Sequence, residues 1–301
     1  MDKNIFCVDI GGSKLICGAL TPKGEILDTY RVDYPKNYTI ETILEAIIDG
    51  YQKLARYEYC VCGAAVPGLC DYKSGKWLYS PFSGLSDIPI TEHIRNITKL
   101  PTFTDNDVNV SALAEKHFGL CKDTENFLWI TVSNGIGGGL FLDGELYRGK
   151  NLSAGEIGHF IVEENGRRCG CGNAGCLEAY ASGSSIAAIY AKRVGKDISA
   201  KDIALLARNG DKTAIDVWRE AGAYIGKAAS YAVNLLGIDT VVLGGGAAEA
   251  FDLIEVSAQA TLDRLIFKKA NPNAKILHSK LGGFAALTGC AALILEEGEL
   301  I

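Results

Sequence analysis

No apolar run in this chain approaches the ~20 residues that a membrane-spanning helix needs, so a membrane protein is not expected. Met1-Asp2-Lys3 leads straight into strand-like Ile5-Phe6-Cys7-Val8 with no apolar signal-peptide core between them, and a cytoplasmic location is the expectation. Runs of lysine and arginine are missing too. With a formal net charge of -6 there is no general attraction to phosphate backbones, which argues against nucleic-acid partners. No linker rich in proline, glycine and serine divides the 301 residues, so domain boundaries have to be inferred from repeated structure. The phosphate-loop pattern Gly-x4-Gly-Lys followed by Ser or Thr is absent. What remains, 48% hydrophobic and 22% charged, is the composition of a soluble folded protein long enough for two ordinary domains.

The most concentrated signal is His159-x9-Cys169-x-Cys171-Gly172-x3-Cys176-x-Glu178, placed behind Ala154-Gly155-Glu156-Ile157-Gly158. Three thiols and one imidazole make up the donor set of a closed tetrahedral Zn²⁺ site, and the glycines allow a loop tight enough for the four to converge. Free or disulfide-forming cysteines are the alternative, which ligand order and glycine placement favour less. Glu156 and Glu178 are hard acceptors, poor as extra ligands beside thiolates but suited to sugar hydroxyls. Cys7, Cys17, Cys60, Cys62 and Cys290 lie in apolar stretches where a thiol behaves as a small hydrophobe.

Along the first hundred residues strand and helix signals alternate: strands at Ile5–Ile10, Leu15–Leu20, Gly24–Tyr34 and Cys60–Val66, with a helix at 40–56. A second series begins with the strand Leu128–Val132, followed by the glycines of Gly135-Ile136-Gly137-Gly138-Gly139, a strand Leu140–Leu142 and the turn Asp143-Gly144-Glu145. Helical stretches run from Leu177 to Leu236, punctuated by Gly195 and Gly210. Then come the strand Thr240–Leu243, Gly244-Gly245-Gly246, and helices at 250–265 and 285–297. Gly18-Ala19-Leu20 with Gly24-Glu25 is echoed by Gly138-Gly139-Leu140 with Gly144-Glu145 at the same spacing, which predicts two related hairpins, one per domain.

Three places carry phosphate or proton chemistry. Asp9-Ile10-Gly11-Gly12-Ser13-Lys14 puts a carboxylate at a strand end before a glycine turn, a geometry for phosphate and Mg²⁺ that an ordinary hairpin shares. The loop Asn134 to Gly139 leads into a strand, whereas a dinucleotide fingerprint leads into a helix, so its role is to clasp phosphates as a second glycine hairpin, with Gly244 and Gly245 lining the adenosine. Asp105-Asn106-Asp107 opens a helix, where Asp107 is either a cap or a base held ionised by the helix N-terminus.

Taken together these segments resemble the ROK family (repressors, open reading frames and sugar kinases) of the actin-like, ribonuclease-H-like ATPase superfamily. The carriers are Asp9 to Lys14, Pro67-Gly68, Asn106-Asp107 with Ala112-Leu113-Ala114-Glu115, the Gly135–Gly139 loop, Glu156 to His159, and Cys169 to Glu178. The resemblance implies an α/β, two-domain fold with an interdomain cleft, read here as 1–110 joined by a C-terminal helix at about 285–301, and 111–284 carrying the zinc loop. It implies an ATP- and Mg²⁺-dependent kinase acting on a hexose, foremost at C6 of glucose, with N-acetylmannosamine or another N-acetylhexosamine as the alternative. Asp107 would be the base, Asn106, Asp107, Glu156, His159 and Glu178 would hold the sugar, and His159, Cys169, Cys171 and Cys176 a structural zinc. His159 would then serve both metal and sugar, one through each ring nitrogen. A homodimer or homotetramer is the implied assembly.

Two departures stand out. Asn134 occupies a position where many relatives carry threonine, and Tyr79-Ser80-Pro81-Phe82-Ser83-Gly84-Leu85 lacks the Asn-Leu-x-Trp type of pattern familiar in glucokinases, which leaves the sugar open. Of the competing classes, a DNA-binding repressor would carry an added N-terminal helix-turn-helix, for which the start of the phosphate hairpin at residue 9 leaves no room, and a catalytically silent sugar-binding regulator is disfavoured by Asp9, Asp107 and both glycine hairpins.

Overall fold

The computed structural model describes residues 3–35 and 38–296; positions 1–2 and 297–301, the last of them within the expected C-terminal helix, lie outside the described residues. The chain separates into two compact units. The first comprises the described residues of Met1–Asp123, Arg148–Ser153 and Phe284–Ile301, and the second those of Thr124–Tyr147 and Ala154–Gly283.

The first unit starts with β1 (Asn4–Ile10), β2 (Lys14–Leu20) and β3 (Ile26–Asp33), an antiparallel meander, and continues through α1 (Ile40–Lys53) to β4 (Tyr59–Val66). After a small sheet of β5 (Leu69–Asp71), β6 (Lys76–Tyr79) and β7 (Ser86–Ile88) come α2 (Ile90–Thr98), β8 (Thr102–Asn106) and α3 (Asp107–His117). The main sheet runs β3-β2-β1-β4-β8, with β1, β4 and β8 parallel. β1 is buried on both faces, as its unbroken apolar run demands. On one face Phe6, Val8, Ile10, Ile43, Ile47, Trp77, Ile90 and Ile94 form a single core. α1 joins it because Ile43, Ala46, Ile47 and Gly50 repeat at helical spacing, and a Thr39–Thr42 capping box starts the helix.

The second unit repeats this order. β9 (Phe127–Val132), β10 (Ile136–Leu142) and β11 (Glu145–Leu146) form the meander, and α4 (Glu178–Ala181), α5 (Gly183–Val194), α6 (Ala200–Arg208) and α7 (Lys212–Leu236) precede β12 (Thr240–Gly244). α8 (Phe251–Leu265) and β13 (Lys275–His278) follow, and the sheet runs β11-β10-β9-β12-β13 with β9, β12 and β13 parallel. The two predicted hairpins are its counterpart turns, with Gly24 at φ 79° and Gly144 at φ 82°. A Cβ at Gly226 of α7 would collide with the Ala258 backbone of α8, so glycine sets how closely these helices pack. Two such sheets define the actin-like, ribonuclease-H-like α/β fold.

Two expectations need correction. The boundary placed near residue 110 lies instead after Asp123, because α3 belongs to the first unit: a Cβ at Gly289 of the last helix, α9 (Ala285–Glu296), would collide with the Val110 carbonyl of α3. Likewise α9 lies against β4, where Gly63 leaves room for the Cys290 backbone. The glycine loop 135–139 is mostly strand. β10 begins at Ile136, with Gly137, Gly138 and Gly139 paired to Thr131, Ile130 and Trp129, so the loop proper is Ser133-Asn134-Gly135. No helix among the described residues is long and apolar enough to cross a membrane.

Candidate active site

In each unit the candidate residues gather at the carboxyl ends of parallel strands, the edge at which open α/β sheets bind ligands. In the first, β8 ends at Asn106, whose extended backbone and side chain cap α3: its Oδ1 accepts from the amides of Val108 (2.9 Å) and Asn109 (3.0 Å). Its Nδ2 donates to the Gly68 carbonyl at the end of β4 (2.7 Å) and to Asp107 Oδ1 (3.0 Å). Asn106 is therefore the N-cap, and Asp107 is the first residue of the helix. Asp107 Oδ1 also accepts from the Val108 amide (3.0 Å). Burial, and then the neighbouring Asp9 carboxylate, push the Asp107 carboxyl up to about 7 against those hydrogen bonds. Asp9, near the end of β1, is likewise pushed up to about 6 by burial, with Lys14 opposing.

The turn after β1 is closed by the Gly11 amide donating to the Lys14 carbonyl (2.8 Å). The Tyr34 hydroxyl, placed beneath it, is within 2.6 Å of the Gly11 carbonyl and 2.9 Å of that of Lys14. Sequence reasoning passed Tyr34 over, since nothing in its neighbourhood of the chain marks a residue that acts twenty positions away. Gly12 lies under the ring of half-exposed Phe82, too close for any Cβ. Phe82 comes from the β6–β7 turn, the segment in which the glucokinase-type pattern is missing.

In the second unit two turns are neighbours at the ends of β9 and β12. The Ala247 amide donates to the Val132 carbonyl (2.9 Å), Gly245 takes φ 91°, and Asn134 is exposed. Gly244 is buried, and its missing side chain leaves space for the Trp129 ring. Of the glycines expected to touch phosphate, Gly138 is instead packed against backbone: a Cβ there would meet the Gly155 carbonyl at 2.6 Å. Gly158 makes a similar close approach to the Ile136 carbonyl, so the glycines of Ala154–His159 press that segment on β10 and thereby place Glu156 and His159.

His159, Cys169, Cys171 and Cys176 bring one ligand atom each to within 4.8 Å of one another. His159 turns Nδ1 to Cys169 Sγ (3.7 Å) and Nε2 to Glu156 Oε2 (3.8 Å), so one nitrogen faces the thiols and the other a carboxylate. Cys171 and Cys176 sulfurs lie 3.6 Å apart, near the edge of a tetrahedron with zinc–sulfur bonds of ~2.3 Å. The Cys169 and Gly172 backbones close the knuckle by hydrogen bonds, Gly172 at φ 95°. Donor type, number and spacing all fit a Cys₃His metal site. Glu178, at the start of α4, links this knuckle to the glycine turn: its Oε2 accepts from the Ile136 amide (3.0 Å), and its Oε1 lies 3.8 Å from Cys169 Sγ. Gly135 has no side chain where one would press on that carboxylate. The Glu156 carboxyl is pushed up by burial first and by Glu178, against the pull of His159.

This combination of a doubled sheet, carboxylates at the strand ends and a Cys₃His knuckle defines a class within the actin-like ATPases, and comparison with known proteins resolves it. The ROK family model matches residues 5–297, and the chain belongs to that family. It is 29% identical over 312 residues to a glucokinase of Halalkalibacterium halodurans, covering 96% of this chain and 94% of that one. It is also 30% identical over 273 residues to a DNA-binding transcriptional dual regulator of Escherichia coli, covering 88% of this chain and 67% of the other. Among solved structures, a ROK family glucokinase from Streptomyces griseus in complex with glucose and AMPPNP superposes with a TM-score of 0.87 at 29% identity, over 96% of this chain and 98% of that one.

Proposed function

We propose that this protein is an ATP-dependent sugar kinase that transfers the γ-phosphate to a hexose hydroxyl, foremost C6 of glucose. The observation that carries the reading is Asp107, a carboxylate that follows the capping Asn106 at the end of β8 and is pushed up to about 7, where a general base accepts a proton at neutral pH without being too weak to hold it. Similarity to glucokinases, one of them solved with glucose and an ATP analogue, supports the same conclusion.

In this reading Asn106, Glu156, His159 and Glu178 hold the sugar through its hydroxyls, and Asp107 takes the proton from the hydroxyl that attacks phosphorus. The backbone at Gly11, Gly12 and Ser13, with Lys14, serves the phosphates of ATP, as do Asn134 and Gly135. Gly137 and Gly138 act indirectly, through the strand that carries the turn, and Gly244 and Gly245 shape the adenosine side. Asp9 serves Mg²⁺, which when bound supplies positive charge against the phosphates. His159, Cys169, Cys171 and Cys176 hold zinc, whose part is to fix the knuckle and the His159 ring.

A coupled ADP-release assay over glucose, fructose, mannose, allose, N-acetylglucosamine and N-acetylmannosamine tests this. Turnover is expected with glucose; a preference for N-acetylmannosamine replaces the substrate and keeps the reaction. A second reading, a sugar-binding regulator without turnover, draws on the 30% identity to the Escherichia coli regulator. Sugar binding by calorimetry with no ADP release from any sugar would establish it in place of the kinase.

A further inference from the structure

Directly behind Asn106-Asp107 lies a buried ion pair. Asp105 is fully buried; its Oδ2 accepts from Arg148 Nε (2.8 Å), while its Oδ1 accepts from the Asn106 amide (2.7 Å) and from Asn109 Nδ2 (3.2 Å). The Arg148 guanidinium lies 4.0 Å over the Tyr72 ring, with its side chain 16% exposed. One carboxylate thus gathers a cation, the cap's own amide and a side chain from the first turn of α3. Arg148 arrives from an unusual place in the chain. It opens Arg148–Ser153, which packs with the first unit although the residues on either side of it in sequence belong to the second, and Ser153 is followed at once by Ala154-Gly155-Glu156.

For hydrogen bonding alone, Asp105 would need no cation. Its two acceptor contacts to Asn106 and Asn109 need only an oxygen, and a neutral amide would supply it without the cost of burying an ion pair. What a guanidinium adds is a fixed fork, stacked on Tyr72, and a positive charge that cannot be titrated away. Of the charged groups, Asp9 on β1 raises Asp107 directly and Lys14 on β2 acts on Asp9, which Tyr34, just after β3, also faces; Asp105 on β8 and Arg148 on the strap reach Asp107 through the Asn106 backbone.

We propose that Arg148 is a positioning residue for phosphoryl transfer: through Asp105 it holds the Asn106 backbone and Asn109, and so the direction and charge balance of the Asp107 carboxylate. The inference rests on the kinase reading with Asp107 as base. In the same contact Arg148 fastens the strap that leads into Glu156, so that the base and the segment entering the sugar-holding residues share one anchor.

The test uses the full chain with D105N, R148M, R148K and the double variant D105N/R148M. D105N leaves the guanidinium uncompensated near Asp107, which favours the carboxylate; the acidic limb of the kcat–pH profile is expected to move to lower pH, with kcat down about tenfold or more and sugar KM changed little. The double variant removes both charges and is expected to return the limb to its original position while kcat stays low. R148K keeps the charge without the fork, and its kcat is expected to fall between those of R148M and the parent. Equal limbs in D105N and the double variant, or kcat within twofold of the parent in both D105N and R148M, would overturn the proposal. R148M strands a buried carboxylate and is the variant least able to fold; the double variant then carries the comparison. Carboxyl ¹³C titration of Asp107 without substrate gives a readout apart from turnover. Should the parent phosphorylate no sugar, the kinase reading fails, yet a lower Asp107 midpoint in D105N that reverts in the double variant would sustain the electrostatic half of the inference, and an unchanged midpoint would end it.

Discussion

Asp107 shows how a single residue's role depends on its neighbour's. Because Asn106 takes the capping hydrogen bonds, the Asp107 carboxylate is left with a helix N-terminus on one side and Asp9 on the other, and burial decides the balance by pushing it up to about 7. Its folded pKa lies above the ordinary carboxylate value of 3.8, so the folded state binds more protons between about 4 and 7, and this group's contribution to stability declines as pH rises through that window. In the proposed kinase activity runs the other way: Asp107 as base would act only when ionised, so turnover is expected to fall as pH drops through about 7. Asp107→Asn joins the two statements. It is expected to lose several orders of magnitude in kcat and, at mildly alkaline pH, to unfold at a denaturant midpoint higher than the parent by an amount worth roughly 1–3 kcal/mol. Near-parental turnover would remove Asp107 from the chemistry; a lower midpoint would contradict the cost assigned to its ionised form.

At the scale of elements, the informative ones are the knuckle Cys169–Cys176 and strand β10. Glycine played two parts that look alike in sequence. Gly172 and Gly245 supply backbone conformations with positive φ, whereas Gly138, Gly155 and Gly158 make room for another backbone. Spacing alone could not separate them, which is why residues 135–139 read as a loop although most of them pair in a strand. In contrast, the cluster of His159, Cys169, Cys171 and Cys176 was legible because thiols and an imidazole in a tight, glycine-bearing stretch have few other uses. Cys171 is exposed, unlike Cys169 and Cys176, so Cys171→Ala tests the metal with small structural cost. Zinc content by atomic emission is expected to fall from one per chain to near zero, and sugar affinity to weaken by about tenfold or more, since the His159 ring loses the partner that orients it. Unchanged sugar affinity in the metal-free variant would break the link between the knuckle and recognition.

Across the whole molecule, each sheet has its own buried core: Phe6, Ile43 and Trp77 belong to one, and Leu128, Ile130 and Trp218 to the other. The four candidate zinc ligands fall in the second unit, so removal of zinc by a chelator is expected to lower one of two calorimetric unfolding transitions and leave the other in place. A single transition that moves as one with metal content would show the two cores to unfold together. The α/β class and the repeated hairpin were written in the chain, because hydrophobic period, turn glycines and caps are local and each reports on its own few residues. So were the kinds of chemistry available: a Cys₃His donor set, and a carboxylate at the start of a helix. Tertiary structure alone decided that α3 belongs with α9, that Arg148 reaches Asp105 from forty-three positions away, and that Asp9 comes close enough to Asp107 to raise its affinity for a proton. These depend on charges and carbonyls that strand crossovers bring together, and burial and Coulomb interaction act through space rather than along the sequence.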